Sequence, residues 1–79
     1  MTINQAVVKR LTQYMEKMDL SQAELARRST LPVPTIKSII QRRAKGIELK
    51  TFILLAHGLG ITPAELIDDP SFLAENLDI

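Results

Sequence analysis

Residues 20–40 read LSQAELARRSTLPVPTIKSII. Ser21-Gln22-Ala23-Glu24 is a capping box: the Ser hydroxyl accepts from the amide three residues on, and the Glu carboxylate reaches back to the cap amide. A helix therefore starts just after Ser21. Leu20 can close on Leu25 as a hydrophobic staple, Leu25 and Ala26 supply a buried face, and Arg27 and Arg28 fall near the C-terminal end, where the helix dipole favours cations. Ser29-Thr30-Leu31-Pro32 breaks the helix. A second one is predicted from about Val33 to Gln41, with Pro34 in its first turn, where a missing N–H costs little. Ile36, Ile39 and Ile40 point inward, leaving Lys37, Ser38 and Gln41 on the outer side.

Two short helices across a four-residue break follow the local plan of a helix-turn-helix. Ala26, Leu31, Ile36 and Ile39 brace the pair, so the second helix stands proud enough to fit a major groove ~12 Å wide. Working outward, a helix is predicted from about Ile3 to Lys17, with Asn4 as candidate cap. Its apolar stripe is Val8, Leu11, Met15 and Met18, widened by Val7 and Tyr14. After a basic loop, Arg42-Arg43-Ala44-Lys45-Gly46, a fourth helix spans about Leu49 to His57, with Phe52, Leu55, Ala56 and Leu59 toward the core. Gly58 or Gly60 supplies its left-handed end. Thr62-Pro63-Ala64-Glu65 is a second capping box opening a short helix to about Ile67, and Asp69-Pro70 opens a last turn with Phe72, Leu73 and Leu77. The pattern is all-α.

The chain has 79 residues, 46% of them hydrophobic, enough for one core and one domain. We expect residues 1–79 to form that single domain, with its core at about 3–67 and a C-terminal extension at 68–79. With no Cys and His57 alone, there is no thiol nucleophile, disulfide or His-rich metal site. His57 reads as a helix-end or surface group. No nucleophile–base pair or Gly-rich phosphate loop is present, and the Ser and Asp residues are explained by caps, so no enzyme is expected. No cofactor and no metal are expected either. No apolar run approaches the ~20 residues that span a bilayer, and no signal-peptide core is present, which predicts a cytoplasmic protein without membrane contact. The net charge of +1 conceals a division. Residues 1–45 carry nine basic and three acidic side chains, and residues 46–79 carry one and six. Such asymmetry suggests one anion-meeting face and one acidic face.

LSQAELA, the TIKSI of the third helix and the closing AHGLGITPAEL together resemble the Cro/CI (XRE-type) helix-turn-helix family of phage and bacterial regulators, over about Leu11–Ile67. The resemblance implies a compact five-helix lambda-repressor-like domain, with a short sixth helical turn at the C-terminus. It implies a bacterial or phage-encoded, sequence-specific DNA-binding regulator. It also assigns roles. Gln22 falls on a phosphate-anchoring glutamine and Ser21 on the adjacent cap. Val33 and Pro34 fall where base-reading residues stand, and Thr35, Lys37 and Ser38 complete the groove-facing side. Gln41, Arg42, Arg43 and Lys45 match the loop that meets the sugar-phosphate backbone.

Three departures stand out. Thr30 replaces the common turn glycine, so either a β-branched residue is left-handed or the turn is built differently. Val33 and Pro34 cannot make the bidentate base contacts worth ~1–3 kcal/mol, and can touch only thymine methyls or exclude water. Lys37, Ser38, Thr35 and the loop arginines are left to donate hydrogen bonds, with DNA shape contributing. Met15 and Ile40 stand where many family members bury an Arg–Glu pair, and a hydrophobic contact is expected instead.

The leading expectation is a homodimeric repressor, Cro-like or antitoxin-like, on a two-fold operator, because paired half-sites multiply a few phosphate contacts. Response to a ligand would then require another protein partner, such as a cognate toxin or co-regulator. Ile53 and Leu54, with Phe72, Leu73 and Leu77, are the candidate dimer seam. The competing expectation is a protein-interaction module that keeps the fold without reading DNA, favoured by the apolar head of the third helix and the acidic C-terminal half.

Overall fold

The computed structural model describes residues 1–41 and 43–78. Five α-helices, α1 (Ile3–Met18), α2 (Gln22–Ser29), α3 (Val33–Ile40), α4 (Leu49–Leu59) and α5 (Pro63–Ile67), are followed by two 3-10 turns, Pro70–Phe72 and Ala74–Asn76. The described residues contain no strand. The last turn expected from Asp69-Pro70 is thus two 3-10 turns; the first is capped by Asp69, whose carboxylate accepts from the Ser71 amide at 3.0 Å.

The ends of the helices follow from local chemistry. Ser21–Glu24 and Thr62–Glu65 form the two expected capping boxes. A third box starts α1: the Thr2 hydroxyl accepts from the Gln5 amide at 3.1 Å, and Gln5 Oε1 accepts from the Thr2 amide at 2.8 Å. Thr2, not Asn4, is the cap. α4 also differs from expectation, running two residues past His57 and straight through Gly58, with Gly60 (φ 73°) supplying the left-handed end. Gly58 is there for another reason. An added Cβ would lie 2.9 Å from Ser29 Cβ and 3.0 Å from the Ser29 nitrogen. The missing side chain lets α2 cross α4 at backbone contact.

Around that crossing lies the core: Leu25 and Ala26 of α2, Leu55, Ala56 and Leu59 of α4, Ile36 and Ile39 of α3, Leu66 of α5, and Val7, Val8, Leu11 and Met15 of α1. Burial of such side chains supplies roughly 1.5–3 kcal/mol each against chain entropy. Met15 and Ile40, the expected replacement for an ion pair, line one depression together with Leu20 and Gln22, and Ile40 packs on the core cluster containing Met15.

The two charge halves meet at α1. Lys9 Nζ pairs with Asp69 at 3.1 Å. Arg10 donates from Nε to the Leu66 carbonyl (2.9 Å) and from Nη2 to the Glu65 carbonyl (2.7 Å), and its guanidinium stacks 5.0 Å from the Tyr14 ring centre. It therefore caps the C-terminal end of α5, where carbonyls lack intrahelical partners. Two cations of the basic half are spent on holding the acidic half in place.

Candidate nucleic-acid interface

The turn between α2 and α3 depends on one uncommon backbone conformation. Thr30 takes φ 62°, so the left-handed alternative for the missing glycine is the one realised. Such a conformation costs a side-chain-bearing residue roughly 1–2 kcal/mol. Local bonds hold it. The Thr30 hydroxyl donates to the Ser29 carbonyl at 2.6 Å, the Leu31 amide donates to the Ala26 carbonyl at 3.1 Å, and buried Ser29 donates its hydroxyl to the same Ala26 carbonyl at 3.2 Å. Pro32 then opens α3 in extended conformation, with no side-chain cap.

Ile36 and Ile39 face the core, and α3 turns a mixed surface outward. Pro34 and Lys37 are exposed, while Val33, Thr35 and Ser38 are half-buried. Val33, Pro34, Lys37, Ser38, Gln41 and Arg43 line a single depression, so the structure brings together the head of the helix, its outer side and the loop. A second depression, lined in part by Pro34, Thr35 and Ser38, separates α3 from Ile47 and Glu48.

The loop after α3 is not free. The Arg43 and Ala44 amides both donate to the Ser38 carbonyl, at 2.9 and 3.3 Å, and Asn4 Nδ2 donates to the Ala44 carbonyl at 2.8 Å. Asn4, read from sequence as a cap, is thus the tether between α1 and the basic loop. Only a contact forty residues distant reveals this. Gln41, Arg43 and Lys45 are exposed, and among the described residues no ion pair engages Lys37, Arg43 or Lys45. Arg42 lies outside the described residues.

At the start of α2, Ser21 donates its amide and its hydroxyl to Glu24 Oε1, at 3.2 and 3.0 Å. Those bonds, with smaller help from Arg27 and Arg28, hold the Glu24 carboxyl below its usual pKa. Both Ser21 donors are therefore engaged. The amides of Gln22 and Ala23 have no intrahelical partner, and the half-buried Gln22 side chain stands beside them. Arg27 and Arg28 are exposed, with Arg28 Nη2 beside Gly60 at the C-terminal end of α4. That is a site where a helix dipole accommodates a cation.

The apolar residues singled out from sequence are dispersed. Ile53 and Leu54 are half-buried on α4, which packs against α2 and α5. Phe72 packs on the core from a turn lying against α1, Leu77 is half-buried, and Leu73 is 52% exposed. Leu49, not singled out, is 73% exposed at the head of α4, just beyond the basic loop.

The family model for the Cro/C1-type HTH DNA-binding domain matches residues 10–71, from the second turn of α1 to the first 3-10 turn. The chain belongs to this family. No curated protein matches it. As a Cro/C1-type domain it is a DNA-binding regulator, and its five helices in order, with α2 and α3 joined through a left-handed Thr30, are the expected all-α architecture. Among the described residues, no helix is long and apolar enough to cross a membrane.

Proposed function

We propose that this Cro/C1-type chain is a sequence-specific transcriptional repressor that binds duplex DNA as a homodimer, residues 1–79 acting as one domain with α3 in the major groove. The observation that carries the reading is the outward surface of α3 and its loop. Lys37, Arg43 and Lys45 stand there without ion-pair partners among the described residues, while Lys9 and Arg10 are tied to the C-terminal half. Cations left unpaired on a protruding helix match a polyanion. Thr35, Lys37 and Ser38 are the polar base-reading set. Gln22, Gln41, Arg43 and Lys45 hold phosphates, with Ser21 contributing through the amides it positions rather than through its own donors. Repression follows from occupancy of the operator.

Dimerisation gives the arithmetic its force. Arg43 and Lys45 of each protomer neutralise about four phosphates in a dimer, so log affinity should fall against log salt with a slope of roughly −4. A dimer also sets half-sites about one helical turn apart, ~34 Å. Leu49 and Leu73 are the most exposed of its large apolar residues, and together with Ile53, Leu54, Phe72 and Leu77 they are the candidates for the dimer contact.

One observation favours a second reading, a protein-interaction module: the exposed Pro32 and Pro34 at the head of α3 and the exposed Leu49 at the head of α4 are apolar. Fluorescence anisotropy on a mixed-sequence duplex across a salt series separates the two. DNA reading gives binding at low salt with the slope above, weakened by Lys37→Ala and by Lys45→Ala. The interaction module gives no binding at any salt.

A further inference from the structure

We propose that the head of α3 recognises a thymine by its C5 methyl group, seated on Val33 and Pro34, while Lys37 and Ser38 donate to the adjacent O4. The inference rests on the DNA reading given above and names the base chemistry of that same surface.

The first turn of α3 is almost devoid of donors. Pro32 and Pro34 have no N–H, the Thr35 and Ile36 amides are turned back to the Pro32 carbonyl at 3.0 and 3.3 Å, and no side chain caps the helix. Val33 keeps the one unengaged amide of the turn. The turn's remaining polar groups are that amide and the half-buried Thr35 hydroxyl, and its exposed surface is the apolar one that Pro34 presents. What the turn does offer is a rigid apolar shelf. Pro34 is exposed with its ring fixed, and Val33 is half-buried with a single branch point, so little side-chain entropy is lost on contact.

Donors begin one turn later. Side chains on a helix lean toward its N-terminus, so Lys37 and Ser38 lie over the turn that holds Val33 and Pro34. All four line the same depression. An apolar shelf abutted by donors corresponds to one base in the major groove. Thymine alone among the four presents a methyl group beside an acceptor. Cytosine places an amino donor where Lys37 also donates, and the purines carry no methyl.

The test uses the duplex recovered by selection from random sequence, with each thymine replaced in turn by deoxyuridine, which removes the methyl and keeps every hydrogen-bonding group. Loss of one buried methyl contact corresponds to about a four-fold weaker Kd. We expect that loss at one or two thymines in each half-site and no change at the others. The Val33→Ala, Pro34→Ala double variant, checked for native helicity, should bind the thymine and deoxyuridine duplexes equally. Sequence-selective binding that is indifferent to deoxyuridine everywhere overturns the methyl reading while leaving the DNA-binding function standing. A penalty that persists in the double variant overturns it as well, by assigning the methyl to other residues. Failure to bind any duplex overturns both readings together.

Discussion

Gly58→Ala tests the packing that places the helix-turn-helix. The new Cβ would sit 2.9 Å from Ser29 Cβ, 3.0 Å from the Ser29 backbone nitrogen and 3.1 Å from Leu25 Cδ1. Comfortable carbon contacts are ~3.5–4.0 Å. Leu25 Cδ1 can yield by rotation, but Ser29 cannot: it is 1% exposed, and its hydroxyl is bonded to the Ala26 carbonyl. The two helices must separate. Overpacking of this kind costs ~1–3 kcal/mol, and a clash with backbone belongs at the upper end. Alanine returns ~1 kcal/mol of helix propensity over glycine. The net loss is about 2 kcal/mol, or roughly 8–16 °C in Tm for a domain of this size. Urea and thermal unfolding followed by circular dichroism read the effect directly. Gly46→Ala is the control, since nothing lies within 4 Å of its added Cβ; it should stay within ~0.5 kcal/mol of the parent. Gly58→Ala as stable as the parent would refute the close α2–α4 crossing, and with it the account of how α3 is held.

Other perturbations separate structural from DNA-facing residues. Arg10→Ala should cost about 2 kcal/mol by removing charge-assisted bonds to the α5 carbonyls, with Arg10→Lys recovering only part, and duplex affinity of the folded protein should be unchanged in both. Thr30→Gly should leave stability within about 0.5 kcal/mol of the parent in urea unfolding, because relief of the φ 62° conformation is offset by the lost hydroxyl bond and by glycine's larger unfolded-chain entropy, whereas Thr30→Val, which keeps the strain and loses the bond, should destabilise by about 1 kcal/mol. Asp69 is held at a pKa of about 2, chiefly by the Ser71 hydroxyl and amide and then by Lys9, against an ordinary 3.8. Its contribution is therefore complete above 3.8 and lost as pH falls through 2, so Asp69→Asn should flatten the stability-versus-pH curve across that acid window.

What sequence made legible was whatever a few neighbouring residues decide. Ser21–Glu24 and Thr62–Glu65 announce their helices because a capping box is a contact of three residues' span, and the inward Ile36 and Ile39 follow from helical period. Thr2–Gln5 is an equally local box, but Asn4 is at least as good a cap residue as Thr2, so residue type alone does not choose between the two starts. The remaining misreadings are tertiary. Gly58 looks like a stop because glycine usually is one; only the approach of Ser29 shows why it sits inside α4. Lys9 and Arg10 count toward a basic half in the sequence, yet the fold turns them to Asp69 and α5. Asn4 reaches the basic loop only after α1 and α3 have packed. The motif proposes positions for the candidate site, but that Val33, Pro34, Lys37, Ser38, Gln41 and Arg43 share one depression follows only from the way the loop folds back on α3.

If α3 and the loop after it read duplex DNA in two symmetric halves, the preferred site carries that symmetry. Selection of bound sequences from a random duplex pool tests it most directly. The expected outcome is an enriched, two-fold-symmetric site with half-site centres about 10 base pairs apart, lost in Lys37→Ala. A pool that stays random after repeated selection, or one that enriches a lone asymmetric half-site, would contradict it.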